Sequence, residues 1–350
     1  MPCAVITGIS GQDGSYLAEL LLNKGYVVLG MVRRSSHMTN LDRLKDIRTN
    51  KNLHIVYGDV TDMSSVMSLL NTAKQYLGGD DCPLEIYNLA AQSHVKISFQ
   101  TPIYTTHVDA LGTLNILEAI VQLDMVKKTR FYQASTSELY GLTPGPQNEE
   151  SPMQPQSPYA IAKLYSYWLV KSYRTGHDLF AVNGILFNHE SERRAENFVT
   201  RKITMHVSKV YKGSTEVLKL GNLYASRDWG HAKDYVEAMW LMLQQENPED
   251  FVIATGATYT IKEFVEAAFK YIGKTIAWKG DCLEERGYDC ENGDLLIAVD
   301  PIYFRPAEVH HLQGDASKAY KLLNWKPTIT FNDLVKGMVE NDIEALKTSV

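Results

Sequence analysis

Tyr159 and Lys163 stand four residues apart, so on a helix they share one face. An ammonium beside a phenol favours the phenolate and draws its pKa down, which suits the pair to acid–base work. A second pair of the same spacing, Tyr167 and Lys171, follows on the same stretch and is expected at the surface. Context separates the two. Only Tyr159 follows a proline at the first turn of its helix, behind a strand that ends in Ser135-Thr136-Ser137-Glu138.

A second pattern suits phosphate. Gly8-Ile9-Ser10-Gly11-Gln12-Asp13-Gly14 lies between an apolar strand, Ala4–Thr7, and a helical stretch, Ser15–Asn23. The glycines allow a tight turn, close approach of backbone to a pyrophosphate and close helix–strand packing, and the helix N-terminus adds N–H groups. Gly8, Gly11, Gln12, Asp13 and Gly14 are therefore the expected cradle of a dinucleotide. At the end of the next strand an NAD site needs an acid for the ribose hydroxyl. Arg33-Arg34-Ser35-Ser36 stands there instead. Two guanidiniums and two hydroxyls suit a 2′-phosphate, so the expected cofactor is NADP. Asp59, with Val60 beyond the third strand, either accepts from the adenine amino group or caps a helix.

Short β-branched runs at Ala4–Thr7, Val27–Val32, Leu53–Tyr57, Glu85–Leu89, Arg130–Ala134 and Leu179–Leu186 alternate with helical patterns such as Thr105–Gln122. That alternation implies βαβ units and an α/β fold with a doubly wound parallel sheet of the Rossmann type. Leu142–Pro158 carries Pro144, Pro146, Pro152, Pro155 and Pro158 and must be a loop. After Asn188 the alternation degrades into stretches expected to be irregular, at Glu190–Ala195, Leu220–Gly230 and Gly280–Pro306, where a substrate surface is expected. The division that follows is a cofactor-binding domain over 1–187, with returning segments near 229–258 and 299–312. A smaller, irregular α/β lobe over 188–228, 259–298 and 313–350 would hold the substrate.

The 350 residues carry 35 Lys and Arg against 41 Asp and Glu, a net charge of −6. A mild acid excess argues against a nucleic-acid footprint. No apolar run approaches the ~20 residues of a membrane helix. Cys3, Cys82, Cys282 and Cys290 form no Cys-x-x-Cys pair and are expected to be free thiols in a reducing compartment. A strand beginning at the N-terminus leaves no room for a signal peptide. The expectation is a soluble cytoplasmic protein without a metal site.

The glycine spacing, Asn88-Leu89-Ala90-Ala91, the Ser/Thr element and the Tyr-Lys pair together resemble the extended short-chain dehydrogenase/reductase enzymes of nucleotide sugars. Longer runs are similar to the GDP-mannose 4,6-dehydratase family: Leu89–Val95, Ala134–Gly141, Ser157–Lys163, Phe187–Ser191, Phe198–Ile203, Arg227–Tyr235 and Phe304–Val309. The resemblance implies GDP-mannose as substrate, with Thr136, Glu138, Tyr159 and Lys163 catalytic. Tyr159 would take the O4 proton while NADP receives the C4 hydride. Glu138 would remove the C5 proton, water would leave from C6, and the hydride would return to C6. The resemblance also implies Leu89, Ala91, Ser93 and Tyr104 along the cofactor, with His189 and Arg194 near its nicotinamide and phosphate ends. It implies Asn188, Lys202, Arg227, Arg305 and Glu308 on the GDP-sugar. A homotetramer, in preference to a dimer, is implied as well, with the Ser35–Arg43 loop reaching a neighbour.

The chain departs from the family pattern at Glu192, Ala195 and Tyr224, where Pro, Gly and Asp are usual, which puts loop rigidity in question. Glu138 speaks against a 4-epimerase, and Ser137 stands where dTDP-glucose dehydratases carry Asp. Reduction of the 4-ketone by external NADPH to GDP-rhamnose would use the same site, so the residues do not decide it. A non-catalytic NADP-binding sensor or scaffold on the same fold is the alternative of another class.

Overall fold

The computed structural model describes residues 1–35, 38–77, 82–304 and 307–348. Seven strands form its largest sheet: β1 (Cys3–Thr7), β2 (Val27–Val32), β3 (Leu53–Tyr57), β4 (Leu84–Asn88), β5 (Thr129–Thr136), β6 (Phe180–Leu186) and β7 (Phe251–Ile253). Their order is β7-β6-β5-β4-β1-β2-β3, and every neighbouring pair is parallel. The strands expected from the sequence fall on these within a residue or two.

Alternate side chains of each strand enter different cores. Val5, Leu29, Ile86, Phe131 and Ala181 pack with Leu69, Leu70, Ile116 and Ile120 on one face. Ile6, Val28, Tyr87, Tyr132 and Val182 pack with Leu17, Leu21 and Met239 on the other. Both faces are covered, which is why the strands read as unbroken apolar runs. Each fully buried Leu, Ile or Phe contributes about 1.5–3 kcal/mol to this stack. Strand order reverses between β1 and β4, and a crevice opens at such a switch point, beyond the carboxyl ends of the strands.

Helix α1 (Gln12–Asn23) begins directly after Gly11, earlier than the expected Ser15, so Gln12, Asp13 and Gly14 make its first turn. Helix α2 (Pro158–Gly176) opens on Pro158, and the Ser157 hydroxyl accepts the Ala160 amide at 3.1 Å. This cap fixes where Tyr159 and Lys163 point. The proline-rich segment between β5 and α2 is a loop apart from a single bridge, Gln147 to Gly314. Its Glu149 accepts the Val252 amide at 2.7 Å, which covers the β7 edge of the sheet.

A further core gathers Ile203, Val207, Phe264, Phe269, Ile297, Leu334 and Met338. Here the irregularity expected over Gly280–Pro306 is corrected. Arg286–Asp289 and Leu295–Val299 are antiparallel strands, joined by Ile276–Lys279 and, in parallel, by Leu218–Leu220. A register shift at Gly287/Tyr288 interrupts the alternation by which such short strands are recognised. Leu220–Gly230 likewise contains most of a strand, Ser226–His231, which pairs with Asn188–Glu190, Thr258–Thr260 and His311–Leu312. All four cysteines are free thiols. Among the described residues no helix is long and apolar enough to cross a membrane.

Candidate active site

A cavity of about 630 Å³ runs across the carboxyl ends of β1, β4, β5 and β6, walled on its far side by segments 188–202 and 220–229. Its floor begins with the glycine turn. Gly8 has φ +71°, and a Cβ there would lie 2.9 Å from the Ala90 amide nitrogen. A Cβ on Gly14 would lie 2.4 Å from the Gly8 carbonyl oxygen. The turn is therefore pressed between the end of β4 and the first turn of α1, and Gly8, Gly11, Gln12, Asp13 and Gly14 all line the cavity. This cradle fits the pyrophosphate of a dinucleotide.

The segment after β6 clamps the cradle from above. His189 Nε2 lies 2.7 Å from Asp13 Oδ2, and Gln12 donates to the His189 carbonyl at 3.1 Å and accepts from Ser191 at 2.8 Å. Burial is the largest influence and works against both charges, yet the partner's charge and the hydrogen bonds together outweigh it: His189 is held above its ordinary value and Asp13 below. Arg194 pairs with Glu190 at 3.0 Å and lies over the Phe198 ring.

Beyond β2 Arg33 donates to the Tyr104 hydroxyl, which joins two residues expected along the cofactor. Arg34 lies over the Tyr57 ring, 5.5 Å from its centroid. Arg33 lines the cavity, whereas Arg34 and Ser35 are not among the residues lining it, and Ser36 lies outside the described residues. Asp59 closes a turn by accepting from the Thr61 amide and hydroxyl, both at 2.9 Å. The helix after β3 is capped by Asp62 instead, so Asp59 faces the cavity with Val60. Leu89, Ala91, Ser93 and Tyr104 line the same wall.

Thr136, Glu138, Tyr159 and Lys163 converge on the cavity, and all four are buried. Thr136 Oγ1 accepts the Glu138 amide at 3.2 Å and is hydrogen-bonded to Tyr159. Lys163 donates to the Ala134 carbonyl at 3.0 Å. Its ammonium is 6.0 Å from the centroid of the Tyr159 ring. The expected lowering of the Tyr159 pKa is corrected here. Burial pushes the phenol up, the Asp109 charge adds to it, and the Thr136 hydrogen bond opposes both. The second pair is corrected too: Tyr167 is buried, and Lys171 donates to its hydroxyl at 3.5 Å, outside the cavity lining.

Asn188, Lys202, Arg227 and Glu308 line the opposite end, and Arg305 lies outside the described residues. Arg227 is buried and stands 3.9 Å from Glu308. Lys202 donates to the Lys219 carbonyl at 2.6 Å and lies over the Tyr303 ring. Lys96, which no motif singled out, flanks the same ring 5.7 Å from its centroid. Two ammoniums about one aromatic ring make this end cationic, suited to a diphosphate. The departures find local partners. Glu192 accepts from Tyr16 at 2.5 Å and faces His231 at 3.5 Å, and Tyr224 donates to Glu285 at 2.9 Å. Arg43, at the end of the expected neighbour-reaching loop, donates within its own chain to the carbonyls of Arg193 and Ser10.

Residues 5–338 match the family described as GDP-mannose 4,6 dehydratase. The chain belongs to the GDP-mannose 4,6-dehydratase family. Among relatives bearing the family name, the protein of Cricetulus griseus is 54% identical over 353 residues, covering 99% of this chain and 92% of its own length. That of Sinorhizobium fredii is 51% identical over 350 residues, covering 98% and 97%. The fold also matches the UDP-glucose 4-epimerase of Thermotoga maritima, with a TM-score of 0.80, 22% identity and coverage of 98% and 99%. The epimerase likeness is one of fold.

Proposed function

We propose that the chain is an NADP-dependent hydro-lyase that converts GDP-mannose to GDP-4-dehydro-6-deoxy-mannose and water. The observation that carries this reading is a buried carboxyl, Glu138, on the same cavity wall as Tyr159 and Thr136. Gly8, Gly11 and Gly14, with Arg33, would hold NADP, whose bound nicotinamide would supply the acceptor and donor for a hydride moving from C4 to C6.

Tyr159 takes the O4 proton, oriented by Thr136. Lys163 holds the Tyr159 side of the cofactor site. Once C4 is a ketone, the C5–H bond is acidified, and Glu138 takes that proton and hands it to the departing C6 hydroxyl. The proton stored on Tyr159 goes back to C5, so the net change is loss of one water. Arg227, Lys202 and the Arg305 segment suit the diphosphate, and Asn188 and Glu308 suit the nucleoside. The division into a cofactor domain over 1–187 and a substrate lobe belongs to the same reading, as does a cytoplasmic location.

Self-association to a homotetramer is part of the proposal. It is supported by an exposed apolar stripe on α2, where Ile161, Tyr165 and Trp168 are 57%, 45% and 57% exposed at helical spacing.

Incubation with GDP-mannose and NADP, followed by mass spectrometry, tests the reading. A product lighter by one water is expected. A product of unchanged mass means an epimerase, and unconsumed substrate with bound NADP means a sensor. A further gain of two hydrogens on addition of NADPH would reveal reduction to GDP-rhamnose.

A further inference from the structure

The helical stretch Pro102–Gln122 is interrupted by a π-turn, His107–Leu111, and Asp109 sits in that turn at 1% exposure. Its Oδ1 accepts the Gln92 amide at 2.7 Å. Its Oδ2 is buried with no hydrogen-bond partner among the described residues. A buried carboxylate oxygen left this way is costly, and π-turns gather at functional sites. The main chain of the same residue is tied to the catalytic helix. Ser166, one turn beyond Lys163 on α2, donates to the Asp109 carbonyl at 2.5 Å, and its oxygen lies 3.0 Å from the Thr113 hydroxyl oxygen. Thr113 belongs to a buried polar chain through Asn88 and Gln133 to Thr7, beside the glycine turn.

Lys163 is 3% exposed, and among the described residues its hydrogen-bond acceptor is the neutral Ala134 carbonyl. A buried ammonium sheds its proton unless an opposite charge lies near. Burial draws Lys163 down, and the charge that opposes this is Asp109. Burial in turn pushes Asp109 up to about 7, against the pull of Lys163. On Tyr159 the Asp109 charge adds to burial, while Glu138 and Arg194, facing it from the β5 turn and the 190–195 segment, act in opposite directions.

We propose that Asp109 is the counter-ion of Lys163 and a positioning residue for the Tyr159–Lys163 couple, holding the ammonium charged inside the protein and setting the pH range in which the couple works. This rests on the assignment of Tyr159 and Lys163 given above.

The test is Asp109→Asn, which keeps an acceptor for the Gln92 amide and removes the charge. Loss of a negative charge lowers the pKa of both neighbours. The bell-shaped pH profile of kcat/KM should therefore move to lower pH on both limbs, by roughly one pH unit. Asp109→Glu should bring it back toward the wild-type position. As a second readout, pH-dependent amine labelling of Lys163, followed by mass spectrometry, should titrate at lower pH in the Asn variant. A merely structural residue would lower activity or Tm without moving the profile. If Asn prevents folding, Asp109→Ser carries the same expectation. Profiles and labelling that stay in place, or move upward, in a folded neutral variant overturn the proposal. Tyr159→Phe separates the levels. If that variant turns over normally, the assignment beneath fails; if it is inactive and the Asp109→Asn profile is unmoved, only the counter-ion role fails.

Discussion

The Glu138 amide donates to Thr136 Oγ1 at 3.2 Å, so the turn carrying the carboxyl is closed by the same hydroxyl that meets Tyr159. In the proposed mechanism, proton removal at C5 and at O4 therefore depends on groups held by the end of β5. Glu138→Gln keeps the shape of the side chain and removes its basicity. We predict that it binds NADP as the wild type does and loses about 10²–10⁴-fold in dehydration rate. Release of 6-deoxy product at the wild-type rate would remove Glu138 from the mechanism.

Arg33, with its hydrogen bond to Tyr104, stands where a 2′-phosphate is expected. Arg33→Ala should weaken NADP binding by about tenfold or more while changing NAD binding little, since charged hydrogen bonds contribute about 1.5–3 kcal/mol. Equilibrium titration with both nucleotides measures this. A wild type that does not prefer NADP contradicts the assignment.

Gly14 tests the cradle. A methyl there meets backbone, 2.4 Å from the Gly8 oxygen and 2.6 Å from the Ile9 Cα, with no flexible side chain to yield. Gly14→Ala should cost about 1–3 kcal/mol of stability and sharply weaken cofactor binding. Denaturant unfolding with and without NADP reads both. Gly25→Ala is a control of another kind, since among the described residues nothing beyond its chain neighbours lies within 4 Å of its added Cβ, and its φ of +82° opposes the change.

The Asp13–His189 pair makes stability depend on pH. Asp13 is held below its ordinary 3.8, so its share is present above that value and is lost as acid titrates the carboxylate. His189 is held above its ordinary 6.5, so its share is present below that value and is lost as pH rises through the raised one. The pair therefore contributes most between those two ordinary values. His189→Gln should show its largest Tm deficit there and a smaller one in alkaline buffer. A deficit that grows with alkalinity would contradict the ion pair.

The central sheet was legible because its strands are buried on both faces, so apolar runs such as Cys3–Thr7 and Val27–Val32 stand out between helical patterns. The glycine turn was legible because its spacing answers a backbone requirement. Asp109 was not. A period of 3.6 residues assumes unbroken i to i+4 bonding, and the π-turn at His107–Leu111 shifts the phase, turning Asp109 inward and leaving Leu111 38% exposed. The direction of the Tyr159 pKa was misread because i, i+4 spacing sets proximity, whereas burial and Asp109 set the field. Lys96 escaped because its place at Tyr303 comes from a contact between distant segments.

GDP-mannose carrying deuterium at C4, incubated with the protein and NADP, gives the most direct measurement. A 6-deoxy-4-keto product one water lighter, with the deuterium now on C6, is the predicted result. Deuterium lost to solvent, or a product that still carries its C6 hydroxyl, would contradict hydride return within one site.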